Sequence, residues 1–316
     1  MKLKSLAAAA IAALIASGTA LASGLPKEIN MVYVKAPFNL QNMVMKDQGL
    51  LEKEFAKDGV RVNWKTITSG AQQSQAFASG AIDVSAVQNT ASLLMAAGAG
   101  NPIRVATGVA HPSENFAIVV RKDGPVKTVK DLKGRKVAGP RGTVLHQTLV
   151  AALVKNGMKK TDVEFLSMGI PQALAAVQSG RVDGALLAAS AIVKAEQNGC
   201  RVLQTAKGLV NVNLVMTVRK GFADQYPDAL ARIVKVHRDT LKWINAHPKD
   251  AIAIGAKQHG ISTEQATILA KKSHYYDVLT DADIKGLAAD QEFLVENGMM
   301  EKKVDVKSLV LPTAMK

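Results

Sequence analysis

The chain of 316 residues carries 40 Lys and Arg against 26 Asp and Glu, a formal charge of +14, with 48% apolar and only 4% aromatic residues. Cys200 is the single cysteine, so no internal disulfide can form, and stability has to come from a buried core, for which this length is ample. The charge admits nucleic acid, an anionic membrane surface or an anionic ligand as partner, but the basic residues are scattered along amphipathic segments and aromatics are scarce, which argues against nucleic acid and for a diffusely solvated basic surface.

Lys2 and Lys4 precede an apolar run from Leu6 to Ile15, which Gly18-Thr19-Ala20-Leu21-Ala22 closes with small residues in an Ala-x-Ala arrangement. These are the parts of a signal peptide, with cleavage expected after Ala22. The run of about ten residues is half of what spans a bilayer, and no later segment is long enough either. The released protein is expected to be soluble, and with no cysteine directly after the cleavage point it carries no lipid anchor. Without Lys2 and Lys4 the basic residues number 38 against 26 acidic ones, a formal +12.

Met31 to Val34 reads as a strand, and Lys35 to Asn39 breaks it. A helix is predicted from about Gln41 to Lys57, stopped by Asp58-Gly59, and Val60 to Trp64 alternates as a second strand. Ser69-Gly70 opens a helix from about Ala71 to Ala78, with Gly80 where a left-handed C-cap glycine belongs. Asp83 to Val87 is a third strand, and Gln88-Asn89-Thr90 leads into a helix over Ala91 to Ala97. Asn115 to Arg121 reads as a strand entering a second lobe.

There the order recurs: strand Lys136 to Gly139, polar turn Pro140 to Thr143, helix to about Asn156, strand Val163 to Leu166, helix Pro171 to Gln178, strand Gly184 to Leu187. Val212 to Arg219 resembles a return strand. Beyond Pro227 the pattern is helical, with one long amphipathic segment from Asp228 to His247 and shorter ones ending near Gly260, Ser273 and Gly298, expected to pack around the first lobe.

The recurrence extends to individual residues. Ser69-Gly70-x-Gln72 leading to Ser79-Gly80-x-Ile82-Asp83 returns 100 residues later as Gly169-Ile170-Pro171-Gln172 leading to Ser179-Gly180-x-Val182-Asp183. Strands alternating with helices at this spacing predict α/β lobes with parallel sheets and right-handed crossovers. The lobes are expected at residues 25–113 plus 217–316 and at residues 114–216.

In such sheets ligands sit off the carboxyl ends of the strands, where the next helices begin. Six turns meet that description: Phe38-Asn39, Ser69-Gly70, Gln88-Asn89-Thr90, Arg141-Gly142-Thr143, Gly169-Ile170 and Ala189-Ser190. Helix N-termini offer unpaired N–H groups and partial positive charge, so an anion is the natural guest. Ser113 and Asn115, just before the first crossing, join the ligand candidates, as does Arg141, whose charge at a helix start calls for a compensating anion. Each has a plainer reading: Asn39, Thr90, Thr143 and Ser190 as N-caps, Arg141 as a solvated side chain, Ser113 and Asn115 as loop caps. Asp83 and Asp183 are read as structural, bonding the backbone of their own turns.

No His-Glu-x-x-His, phosphate-binding Gly-Lys-Ser/Thr or Gly-x-Ser-x-Gly motif is present. The six histidines show no metal-ligand spacing and are expected to be solvated or capping. No catalytic residue, metal or cofactor is therefore expected.

The export signal, the doubled lobe, the Leu132-Lys133-Gly134-Arg135-Lys136-Val137 turn, the return strand and the Pro227 to Pro248 helix together resemble a periplasmic solute-binding protein of an ATP-binding-cassette (ABC) transporter, in the subfamily that binds nitrate, sulfonates and taurine. The resemblance covers nearly the whole mature chain. It implies a two-lobed periplasmic-binding-protein fold of type II-like form, with two hinge strands and a cleft that closes on a small, anionic organic solute of the sulfonate or carboxylate class. It also implies a periplasmic monomer that delivers the solute to an inner-membrane ABC permease with its ATPase, and no chemistry on the solute. Leu186 to Ser190 departs from the subfamily, where an aromatic or acidic residue is frequent in this turn. A binding protein of a tripartite (TRAP/TAXI-like) transporter and an exported enzyme on the same scaffold are the alternatives. A thiamine-precursor-forming relative needs a Cys-rich motif that this chain lacks.

Overall fold

A computed structural model of the protein describes residues 24–316; the expected signal peptide and its cleavage point lie outside the described residues. The first part of the chain forms β1 (Glu28–Tyr33), α1 (Leu40–Asp47), α2 (Leu50–Phe55), β2 (Arg61–Thr66), α3 (Gly70–Ala78), β3 (Val84–Asn89), α4 (Thr90–Gly98) and β4 (Ile103–Ala110). The second part forms β5 (Phe116–Arg121), β6 (Lys136–Gly139), α5 (Val144–Lys155), β7 (Glu164–Ser167), α6 (Ile170–Gln178), β8 (Gly184–Ala188), α7 (Ser190–Gln197) and β9 (Cys200–Thr205). The chain then returns through β10 (Leu214–Arg219) and ends in α8 (Lys220–Gln225), α9 (Pro227–Ala246), α10 (Pro248–His259), α11 (Thr263–Lys271) and α12 (Asp281–Glu296).

The strands make two five-stranded sheets of the same plan, β2-β1-β3-β10-β4 and β7-β6-β8-β5-β9. In each, four strands run in one direction, and a strand that has crossed from the other half, β10 or β5, inserts antiparallel between the third and the fourth. The sheets are thus mixed rather than purely parallel. The apolar strands are buried on both faces, β3 and β8 along almost their whole length, as expected of strands covered by helices on either side.

The repeat has a mechanical explanation. Gly80 and Gly180 hold φ of +71° and +73°, and in each copy the residue after the glycine reaches back to close the end of the preceding helix. The Asp83 carboxylate then accepts the Asn30 N–H at 2.9 Å while its own N–H donates to the Asn30 carbonyl; Asp183 does the same to Lys136, at 3.1 Å. Each carboxylate is also paired with an arginine, Arg219 at 2.6 Å and Arg135 at 3.2 Å. The two aspartates therefore clamp the third strand of each unit to the first.

Four expectations are revised. The helix predicted over Gln41 to Lys57 is broken into α1 and α2 at Gly49, whose φ of +60° suits glycine. The outer strands β4 and β9 have no counterpart in the predicted elements. The return strand β10 lies wholly in the first sheet, so Leu214 to Met216, expected in the second lobe, belong to the first sheet. The tail packs on both halves: the Gln147 amide of α5 donates to Asp290 of α12 at 2.9 Å, and the Lys160 ammonium donates to the Asn297 carbonyl at 2.7 Å.

The chain crosses between sheets at residues 111–115 and 206–213. The Ser113 hydroxyl ties the crossings together, donating to the Val210 carbonyl and accepting the Val212 N–H at 3.2 Å. His111 stacks on Tyr276 with ring centroids 4.2 Å apart, and its Nε2 lies 3.2 Å from the Asp283 carboxylate at the start of α12. The Tyr276 hydroxyl in turn donates to Asn213 of the second crossing.

Candidate functional site

All six polar turns named from the sequence connect the carboxyl end of a strand to the start of a helix: α1, α3 and α4 in the first lobe, α5, α6 and α7 in the second. A helix start leaves backbone N–H groups without intrahelical partners, and the usual remedy is a side-chain cap. Of these six helices only α4 has one of its own, the Asn89 amide oxygen accepting the Ser92 N–H at 2.9 Å. Asn39 and Thr143 occupy N-cap positions without capping, because the Asn39 amide donates to the Val34 and Ala36 carbonyls and the Thr143 hydroxyl to the Pro140 carbonyl. Thr90 and Ser190 are the first residues inside their helices. The tail is built otherwise: α11 and α12 begin with capping boxes at Ser262 and Thr280, and α9 and α10 begin with proline.

The candidate residues fall into two groups where the lobes touch. In one, Gly70 and Asn89 of the first lobe meet Gly142 and Thr143 of the second: the Asn89 amide oxygen also accepts the Val144 N–H at 3.1 Å, and the Ser92 hydroxyl donates to the Gly142 carbonyl at 2.8 Å. In the other, Phe38 and Ser190 come together around His259, whose ring lies 5.0 Å from that of Phe38. Its Nε2 is 3.0 Å from the Lys35 carbonyl, which can only accept, so Nε2 carries the hydrogen and Nδ1 accepts the Ser190 hydroxyl at 2.8 Å. Burial holds the His259 pKa down at about 4, so the ring is neutral at physiological pH.

Other candidates lie elsewhere. Gln88 is buried within the first lobe, donating to the Gly70 carbonyl and the Ser74 hydroxyl and accepting from Thr217, and Thr90 bonds the Asn213 carbonyl. Asn115 is fixed at the end of the first crossing by bonds to the Leu269 carbonyl and the Ser273 hydroxyl, and Ser113 ties the crossings together. Arg141 is exposed, its guanidinium 4.8 Å above the Phe165 ring, on which His146 also stacks. Ser69 is half-buried and Gly169 exposed at the uncapped starts of α3 and α6.

Ser92, Gln147, His259 and Asp290 take part in the contacts between lobes and were not among the candidates. Ser92 and Gln147 sit one turn inside helices whose first residues were named, which is the signal that could have found them. His259 and His237 are buried rather than solvated. The Asn39, Asn115 and Gln147 amide oxygens are buried without partners. Ala189, at the start of α7, is fully buried at φ +46° and ψ −117°, a conformation rare outside glycine. Beside it a groove of about 470 Å³ runs between α7 and α11, lined by Asn115, Ile192, Val193 and Ile268. Among the described residues no cluster of His, Cys, Asp or Glu could hold a metal ion, and no helix is long and apolar enough to cross a membrane.

Two sheets of the order 2-1-3-n-4, each completed by a strand from the other half, with facing helix starts between them, define the periplasmic-binding-protein fold. The sequence profile of the NMT1/THI5-like family matches residues 53–251, and the chain belongs to that family. An Escherichia coli (strain K12) protein named as an aliphatic sulfonates-binding protein is 25% identical over 299 residues, 92% of this chain and 90% of its own. The taurine-binding periplasmic protein of the same organism is 31% identical over 203 residues, 62% of each chain. Among solved structures, the alkanesulfonate-binding protein SsuA from Xanthomonas axonopodis pv. citri bound to MOPS superposes with a TM-score of 0.81 at 21% identity, covering 90% of this chain and 98% of that one. The desulfurization enzyme DSZB has the same fold at a TM-score of 0.66 and 16% identity.

Proposed function

We propose that this chain is an exported solute-binding protein of the periplasm, which takes a small anionic organic solute of the sulfonate or carboxylate class between its lobes and delivers it to an ABC permease. The observation that carries this reading is the capping contrast: of the six helix starts that follow strands, those of α1, α3, α6 and α7 have no side-chain cap, whereas α11 and α12 in the tail are fully boxed. Free N–H groups at helix starts suit an oxyanion. The curated relatives point to the sulfonate class. Closure of the lobes on the solute, with the crossings at residues 111–115 and 206–213 as hinges, presents the loaded form to the permease, and the protein acts as a monomer.

The reading as a carrier rather than an enzyme is supported by the position of the only thiol. Cys200 pairs with Arg121 at the end of the second sheet away from the α5, α6 and α7 starts, and burial raises its pKa, which keeps it a thiol. The test is thermal unfolding with a panel of alkanesulfonates, taurine, carboxylates, nitrate and aromatic acids. A true solute at 100 times its Kd adds about 2.7 kcal/mol. A panel in which no anion raises the melting temperature, or in which a bound solute is converted over hours by mass spectrometry, defeats the proposal.

A further inference from the structure

Between the starts of α4 and α5 the lobes are joined by a seam made from both. The Asn89 amide oxygen serves two helices at once, accepting the Ser92 N–H of its own helix and the Val144 N–H of the facing one. One turn further on, the Ser92 hydroxyl donates to the Gly142 carbonyl at 2.8 Å. Gly70 makes room for this pair within the first lobe, and Gly142 lies in ordinary contact with it. A Cβ on Gly70 would lie 2.5 Å from both the Asn89 amide nitrogen and the Ser92 hydroxyl, and one on Gly142 would lie 3.6 Å from the Ala71 methyl. Gly142 also holds φ +69°, which a side chain would strain. At this point the lobes are in direct contact, and the N–H at the start of α5 is taken by the protein itself.

We infer that Asn89 and Ser92 form a closure latch, positioning residues that set how much of the protein is closed before any solute arrives. The inference rests on the proposed function, since it presumes a protein that opens and closes. The Asn89–Val144 and Ser92–Gly142 bonds exist only when the lobes meet, so their net free energy belongs entirely to the closed state. Every solute that requires the closed form gains by the same factor, because apparent affinity scales with the competent fraction. A residue that touched the solute would instead discriminate between solutes.

The test uses the mature protein with spin labels at Gln75→Cys on α3 and Lys155→Cys on α5, both exposed and one in each lobe; buried Cys200 stays unlabelled. Without solute, pulsed dipolar spectroscopy should show a short-distance population, and Ser92→Ala should lower the closed-to-open ratio by about three- to tenfold, the net worth of one hydrogen bond. Ser92→Ala leaves the α4 cap intact, because Asn89 bonds the backbone at this position. Asn89→Ser, whose hydroxyl can still cap α4 but is too short to reach Val144, should act in the same direction. With any solutes that bind, Ser92→Ala should weaken all of them by one common factor. An unchanged distance distribution overturns the latch, as does a loss of affinity confined to one chemical class. The distance measurement needs no solute, so it decides the latch even if the anion panel fails.

Discussion

Asp83 in the first lobe and Asp183 in the second make the same pair of backbone bonds and each holds an arginine, yet the turns on the opposite ends of their strands share almost nothing. In the first lobe Gly70, Gln73, Ser74, Ser85, Gln88 and Thr217 are knitted by buried side-chain hydrogen bonds. In the second, the corresponding ground is held by Gly139 pressed against Leu186, by an exposed Gly169 and by a strained Ala189. The end of the unit that holds the sheet together has kept one solution in both copies; the end that faces the other lobe has two. The first lobe presents a rigid polar wall and the second a simpler one, in which α6 and α7 start without side-chain caps.

The largest expected effect separates the lobes by acid. His237 is fully buried, its Nε2 donating to the Gly108 carbonyl and its Nδ1 without a partner, and burial brings its pKa down to about 4, as it does for His259. Both belong to the first lobe and its tail. His146, likewise at about 4, is their counterpart in the second. A histidine whose folded pKa lies below its unfolded 6.5 contributes full stability above pH 6.5 and loses it progressively down to about pH 4. At 1.36 kcal/mol per unit, the two histidines of the first lobe together remove roughly 5 kcal/mol over that range. Asp290, pushed up to about 6 by burial, gains stability as pH falls and offsets part of it. Urea midpoints should therefore drop steeply between pH 6.5 and 4, with amide exchange rising first around α9 and α10. A flat profile, or exchange rising first in β6 to β8, contradicts the assignment.

Next in size is the contrast between the two clamps. Asp83 is 6% exposed and its arginine only 2.6 Å away, whereas the Asp183 and Arg135 side chains keep contact with water. Asp83→Ala should cost about 2 kcal/mol, because it removes the buried acceptor of the Asn30 N–H and leaves the half-buried Arg219 guanidinium without its partner. Asp183→Ala should cost about 1 kcal/mol, the range of a well-solvated pair. Chemical denaturation of both variants measures the difference, and equal losses would mean that the two copies bear equal load.

Much of this architecture was legible in the sequence because it depends on local chemistry. The glycines at 80 and 180 and the aspartates three residues later mark a helix stop and a strand start wherever they occur, and their 100-residue register gave two lobes. The six helix starts followed from the same alternation. What escaped depends on partners distant in the chain. β4 and β9 are edge strands whose place is fixed by β10 and β5 arriving from the other half. Asn89 was named as a ligand candidate and caps two helices, the second because Val144 reaches it only after the lobes meet. Gln88 and Thr90 sit in a turn that faces the other lobe, but their side chains turn inward, a choice made by Thr217 and Asn213 more than a hundred residues away.

The smallest effect concerns Arg141, the residue the sequence singled out for the anion. Its placement between Pro140 and Gly142 argued for a charge partner at a helix start. The structure supplies a different neighbour, the Phe165 ring 4.8 Å below the guanidinium, and Arg141 remains exposed there. A cation over an aromatic face in water is worth about 0.5–1 kcal/mol to the fold and nothing to a ligand it does not touch. Arg141→Ala should thus lower stability by no more than that and change the affinity of any anion that binds by less than about threefold, whereas a charge-assisted bond to the solute would be worth about 1.5–3 kcal/mol. Titration calorimetry of the variant distinguishes the two. A loss beyond tenfold would mean that the guanidinium leaves Phe165 for the solute, and the second lobe would then hold its anion by a side chain where its helix starts otherwise offer backbone alone.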